Sequence, residues 1–190
     1  DVFHPTQILA DFLTIQEQFG YLKGINFTFV GDAKNNMGNS LMIGAAKLGL
    51  NFVGVAPKAL WPDQVLISKC LEIAESTGAT IKFTEDPKEG TTNADVVYTD
   101  VWVSMGEPKE VWTERLTLLS PYQVDKAMMS NAKDTAIFMH CLPAFHGKDT
   151  DMGKDIAKTY GKDFPKVANG EVEVTDEVIE ASNSVVFQEA

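Results

Sequence analysis

Five short apolar runs, rich in β-branched and aromatic residues, recur at residues 25–30, 51–55, 80–83, 95–99 and 135–139. Runs of this length read as strands rather than helices. Between them lie stretches with apolar residues at helical spacing. One covers 37–48 and is closed by Gly49; another opens at Pro62-Asp63 and runs to about 76, with Gly78 behind it. A further helix precedes the first strand over 4–18, with Ile8, Leu9, Phe12, Leu13 and Ile15 at helical intervals and Gly20 and Gly24 after it. Strand then helix with short connections specifies an α/β fold: a Rossmann-like, doubly wound, mainly parallel sheet of about five strands with helices on both faces. Residues 184–187 read as a last strand. The Lys/Asp-rich stretch 147–170 reads as a surface excursion with one short helix, and Thr175-Asp176-Glu177 opens another. There is no repeat, low-complexity tract or interdomain linker, so 1–190 reads as a single domain.

The net charge of −11 argues against a nucleic-acid partner, because phosphate backbones demand a basic surface. No apolar stretch is long enough to span a membrane, and no signal peptide opens the chain. Residues 1–7 look like the interior of a protein rather than its start. The two cysteines, Cys70 and Cys141, form no disulfide framework, which predicts a reducing compartment and a cytoplasmic location. The sequon Asn26-Phe27-Thr28 falls inside a predicted strand and reads as chance. Arg115 is the only arginine. Arginine forks are the usual bidentate clamp for phosphate and carboxylate, so this domain cannot build an arginine-rich anion site alone.

An open α/β sheet binds ligands at the carboxyl ends of its strands. Three of those ends carry polar groups. After the first comes 31–38, with Asn35 and Asn36 at a helix start; it lacks the Gly-x-Gly-x-x-Gly spacing of a dinucleotide site and is not a Walker loop. Paired amides beside a positive helix end can bind the charged groups of an amino acid, although on spacing alone simple capping is slightly favoured. After the fourth strand comes Asp100, placed to receive an ammonium, followed by Ser104-Met105-Gly106. After the fifth comes His140-Cys141-Leu142-Pro143. An inert thiol and a satisfied core histidine are the bland readings there. A zinc site from His140, Cys141 and His146 lacks a recognised ligand spacing. Near the start, His4-Pro5-Thr6-Gln7 places a proline in the first helical turn.

Taken together and in order, these four segments resemble the aspartate/ornithine carbamoyltransferase family, on its ornithine branch. His4-Pro5-Thr6-Gln7 is similar to the family's HPTQ, Asn35-Asn36 to its paired asparagines, Asp100 with Ser104-Met105-Gly106 to its SMG loop, and residues 140–143 to its HCLP. The resemblance implies the amino-acid-binding domain of a two-domain enzyme that moves a carbamoyl group from carbamoyl phosphate to L-ornithine. It implies that Asn36, Asp100, Ser104 and Met105 bind ornithine, that His4, Gln7, Cys141 and Leu142 contact carbamoyl phosphate, and that His4, Asp100 and Cys141 carry the chemistry. It also implies homotrimers or larger assemblies of the full-length enzyme. The family's phosphate-binding arginines, before HPTQ and after the present C-terminus, have no counterpart here, so the chain is expected to be inactive alone, without its carbamoyl-phosphate domain and last helix.

The δ-amine of ornithine titrates near 10.4, so freeing it at neutral pH costs about 4 kcal/mol. A carboxylate at Asp100 favours the ammonium and orients it. A Cys141 thiolate is the expected proton acceptor, and His4 donates to the carbamoyl oxygen. No metal and no cofactor is expected. A carbamoyltransferase for another amine, such as putrescine, and a stand-alone amino-acid-binding module are the alternatives.

Overall fold

The computed structural model describes residues 2–103 and 107–189. The chain runs α1 (Pro5–Phe19), β1 (Asn26–Val30), α2 (Asn36–Leu48), β2 (Asn51–Val55), α3 (Gln64–Thr77), β3 (Thr80–Thr84), α4 (Pro87–Thr91) and β4 (Val96–Thr99). It continues through α5 (Lys109–Leu119), α6 (Lys126–Met129), β5 (Ile137–His140), α7 (Asp151–Tyr160), α8 (Asp176–Ile179) and α9 (Val186–Glu189). The five strands form one sheet in the order β3-β2-β1-β4-β5, and every pairing is parallel. The predicted α/β class, strand number and parallel pairing are all present.

Side chains alternate across the sheet. Phe27, Phe29, Phe52 and Tyr98 lie on one face, where Phe12 of α1 meets Phe27 at 6.4 Å and Phe27 stacks on Phe52 at 6.1 Å. Each such ring taken fully out of water stabilises the fold by about 1.5–3 kcal/mol. On the other face, the Thr28 hydroxyl donates to the Gly90 carbonyl of α4 at 2.8 Å. Helix α1 is two-sided: Ile8, Phe12 and Ile15 are buried, while Leu9 and Leu13 of the same apolar series are exposed.

Two boundaries differ from the sequence reading. The fifth strand begins at Ile137 and includes His140, which pairs in register with Thr99. The predicted strand at 184–187 is not formed. Ser184 makes a single parallel bridge to Phe138, and the chain then turns into α9. The reason is a competing acceptor: the His140 amide, which a longer strand would have paired, donates instead to Glu189 Oε2 at 3.3 Å. The excursion at 147–170 contains the helix α7 and, after it, a single 3₁₀ turn at Pro165–Val167.

Candidate active site

Strand order reverses between β1 and its neighbours β2 and β4, so a crevice opens beyond the carboxyl ends of β1 and β4. The loop from β1 into α2 lines it. Asn35 caps α2, its Oδ1 accepting the Gly38 amide at 2.7 Å. Gly38 is required by close approach, because a Cβ there would lie 2.5 Å from the Ala33 carbonyl oxygen. Glycine to alanine in a helix ordinarily stabilises by up to about 1 kcal/mol. Here Gly38→Ala is expected to destabilise by roughly 1–3 kcal/mol, since backbone must shift. Thermal denaturation of the chain reads the sign directly.

Asp100 follows β4 and is almost fully buried. Its Oδ2 accepts Asn35 Nδ2 at 2.8 Å; its Oδ1 accepts the Val101 amide at 2.7 Å and the Cys141 thiol at 3.2 Å. Burial raises the Asp100 carboxyl above the ordinary carboxylate range, partly offset by the Cys141 and Val101 donors. Burial, and then the neighbouring Asp100 carboxylate, push the Cys141 thiol far up. This corrects the expected thiolate. Cys141 is the donor and Asp100 Oδ1 the acceptor in their contact.

His140 is fully buried on the opposite face from Tyr98 and does not line the crevice. Its Nδ1 accepts the Leu142 amide at 2.9 Å, so Nε2 carries the proton and donates to Glu173 Oε1 at 3.2 Å. Glu173 Oε1 also accepts the Phe145 amide at 2.7 Å. The bland reading of His140, a satisfied core histidine, is the one observed. Its work is to hold Leu142, which sits at φ 48°, a backbone region that costs a non-glycine residue roughly 1–3 kcal/mol.

Helix α1 delivers the remaining groups. His4 caps it, with Nδ1 accepting the Gln7 amide at 3.4 Å, and its own amide donates to Ser40 Oγ at 2.8 Å. Gln7 Nε2 donates to Asp11 Oδ1 at 2.9 Å. The crevice, about 710 Å³, is lined by His4, Gln7, Asn36, Asp100, Cys141 and Leu142 among others. Every described residue singled out from the sequence as a substrate contact therefore faces one cleft. Ser104 and Met105 lie outside the described residues.

Two residues named from the sequence have partners that it did not reveal. Asn35 holds Asp100 as well as capping α2. Arg115 bonds Asp32 Oδ2 at 2.7 Å on the cleft wall, so the only arginine is already engaged. Among the described residues, the side chains spaced to hold a metal ion are His146, Asp176 and Glu180, with ligand atoms within 4.8 Å of one another. They line no part of the cleft, and His140 and Cys141 do not belong to the group.

Comparison with known proteins agrees with this geometry. Residues 23–190 match the family described as aspartate/ornithine carbamoyltransferase, Asp/Orn binding domain. The catabolic ornithine carbamoyltransferase of Treponema denticola is 54% identical over all 190 residues, which cover 54% of that relative. The corresponding protein of Mycoplasma capricolum subsp. capripneumoniae is 54% identical over 186 residues, covering 98% of this chain and 57% of the relative. The ornithine carbamoyltransferase structure from Pyrococcus furiosus superposes with a TM-score of 0.82 at 38% identity, covering all of this chain and 52% of that one. The chain thus spans about half the length of the relatives it matches. With the fold, the cleft and these matches in agreement, the chain belongs to the aspartate/ornithine carbamoyltransferase family.

Proposed function

We propose that the chain is the single ornithine-binding domain of an ornithine carbamoyltransferase, in which carbamoyl phosphate and L-ornithine give L-citrulline and phosphate. The observation that carries this reading is the Asp100–Cys141 contact, set in a cleft that His4, Gln7 and Asn36 also enter. The relatives named above are catabolic enzymes, which favours a catabolic role for the intact protein. Its assembly is proposed to be a homotrimer or larger. No described helix is long and apolar enough to cross a membrane, and both cysteines are free thiols, which supports a cytoplasmic location.

Ornithine enters as a dication with a carboxylate. The Asp100 carboxylate attracts the side-chain ammonium. Asn36, in the first turn of α2 and on the cleft lining, and the positive end of that helix suit the α-carboxylate. His4 Nδ1 accepts a backbone amide, so Nε2–H is the donor available to the carbamoyl oxygen as charge gathers there. The proton then moves by relay. The ammonium gives a proton to Cys141 Sγ while the thiol proton passes to Asp100 Oδ1, 3.2 Å away. The freed amine nitrogen bonds to the carbamoyl carbon, the carbon–oxygen bond to phosphate breaks, and phosphate leaves with the electron pair and takes up the second proton shed by the new C–N nitrogen. Burial that raises the Asp100 carboxyl reduces the cost of this transfer from a group near 10.4.

The test is citrulline formation. The intact enzyme should form it from ornithine and carbamoyl phosphate, and should not carbamoylate putrescine at a comparable rate. The 190-residue chain should form none, because its one arginine is held by Asp32 and leaves no free guanidinium for the phosphate. Citrulline from the purified chain, or a preference for putrescine, overturns the reading. Tight calorimetric binding of ornithine by the chain without carbamoyl phosphate would favour a stand-alone binding module instead.

A further inference from the structure

Behind the cleft, on the α1 face of the sheet, lies a group of acids that the transfer chemistry does not use. Asp11 is fully buried and Glu189 nearly so. Tyr98 Oη reaches both Asp11 oxygens, at 3.4 and 3.3 Å. Asp11 Oδ1 also accepts Gln7 Nε2, and Glu189 Oε2 accepts the His140 amide. Glu189 Oε1 is buried and no described N–H or O–H donates to it, while Asp11 and Tyr98 are the polar groups beside it. Two buried carboxylates side by side repel, and an unpartnered carboxylate oxygen is costly. A proton on Glu189 Oε1, directed at Asp11, removes both penalties.

We propose that Asp11 and Glu189 are a proton-holding pair of positioning residues that fixes the Gln7 amide with its oxygen toward the cleft and ties α1 to the Cys141 end of β5. The amide has one orientation compatible with Asp11: an ionised carboxylate is an acceptor only, so the NH₂ must face it. The Gln7 oxygen is then presented to a donor in the cleft, and the NH₂ of a carbamoyl group is such a donor. The same pair reaches the other wall of the cleft through the His140 amide, one residue before Cys141. The titratable groups facing the pair are Tyr98 and Asp100 on the β4 side and Cys141 on the β5 side, all of them acids. Burial pushes both carboxyls up, Asp11 to about 7 and Glu189 to about 9, and repulsion between them adds to the shift at Glu189. Between the ordinary carboxylate range and those values the folded chain holds more protons than the unfolded one, so its stability falls as pH rises.

The cleft role assigned to Gln7 rests on the carbamoyl-transfer reading, whereas the proton-holding pair does not. Carbon-13 NMR of the side-chain carboxyls in the 190-residue chain is therefore the first measurement and needs no variant. At least one of Asp11 and Glu189 should titrate above about pH 6.5; both titrating in the ordinary range near 4 overturns the pair. The melting temperature of the chain should fall from pH 5 to pH 9, and Glu189→Gln, whose amide donates to Asp11 permanently, should flatten that slope. An unchanged slope overturns the assignment. In the intact enzyme, Asp11→Ala should raise the KM for carbamoyl phosphate by up to about tenfold, the value of one hydrogen bond, and Asp11→Asn, which still accepts the Gln7 NH₂, should restore it. An unmoved KM in Asp11→Ala overturns the positioning role. A wild-type enzyme without carbamoyl transfer would sink the functional reading alone, because the carboxyl titration still decides the pair.

Discussion

In the intact enzyme, Cys141→Ala lowers kcat by about 10²–10⁴-fold, the usual worth of a positioned proton-transfer group, while the KM for ornithine changes little. The asymmetry follows from the contacts. Asp100 keeps its bonds to Asn35 and Val101 when the thiol is removed, so the ammonium-binding charge stays in place. Only the relay atom is lost. Asp100→Asn has the larger consequence. An amide cannot accept from Asn35 on one side and from Val101 and Cys141 on the other, because one of its two heads is a donor. It also carries no charge to attract the ammonium. Both kcat and the KM for ornithine therefore deteriorate in that variant. Steady-state kinetics with ornithine varied at saturating carbamoyl phosphate separates the two patterns. Unchanged turnover in Cys141→Ala would remove the thiol from the relay and leave Asp100 as the direct acceptor.

The fold was legible because strand and helix periods alternate and the first three helices end on glycines: Gly20, Gly49 and Gly78 all sit at φ near +80° after their last turn. The cleft was legible because a parallel sheet places its loops at one edge, so residues far apart in sequence (36, 100 and 141) converge once the strands are counted. What sequence could not convey is charge state. Cys141 alone reads as a reactive thiol; only its 3.2 Å contact with a buried Asp100 makes it a donor. The last strand failed for a related reason, since a run of β-branched residues does not reveal that a glutamate two residues on will take the sheet's next amide. One signal was available and unused. Asp11 falls in the buried stripe Ile8-Phe12-Ile15 of α1, and an acid at such a position must have a partner. Arg115 gave a second hint, as the only arginine in a chain of net charge −11.

The largest expected loss of stability comes from Glu173→Ala. Glu173 and His140 are both fully buried, and one oxygen, Oε1, receives both the His140 ring N–H and the Phe145 amide. Removing the carboxylate orphans two buried donors at about 1–3 kcal/mol each and adds a cavity, for roughly 3–5 kcal/mol in all. In a domain of this size such a loss lowers the melting temperature by roughly 6–20 °C. The effect should reach the cleft as well. The His140 ring that leans on Glu173 also accepts the Leu142 amide, and that bond helps hold Leu142 at its positive φ beside Cys141. Glu173→Gln is the discriminating companion. Its amide oxygen can still accept the ring N–H and the Phe145 amide, so it should recover most of the stability, whereas loss of the negative charge remains. If Gln and Ala variants melt together, the charge rather than the hydrogen bonds holds this face of the site. If the Gln variant melts with the wild type, the carboxylate is there for its oxygens, and the His140–Glu173 contact is a scaffold for Leu142 and Cys141 rather than an ion pair.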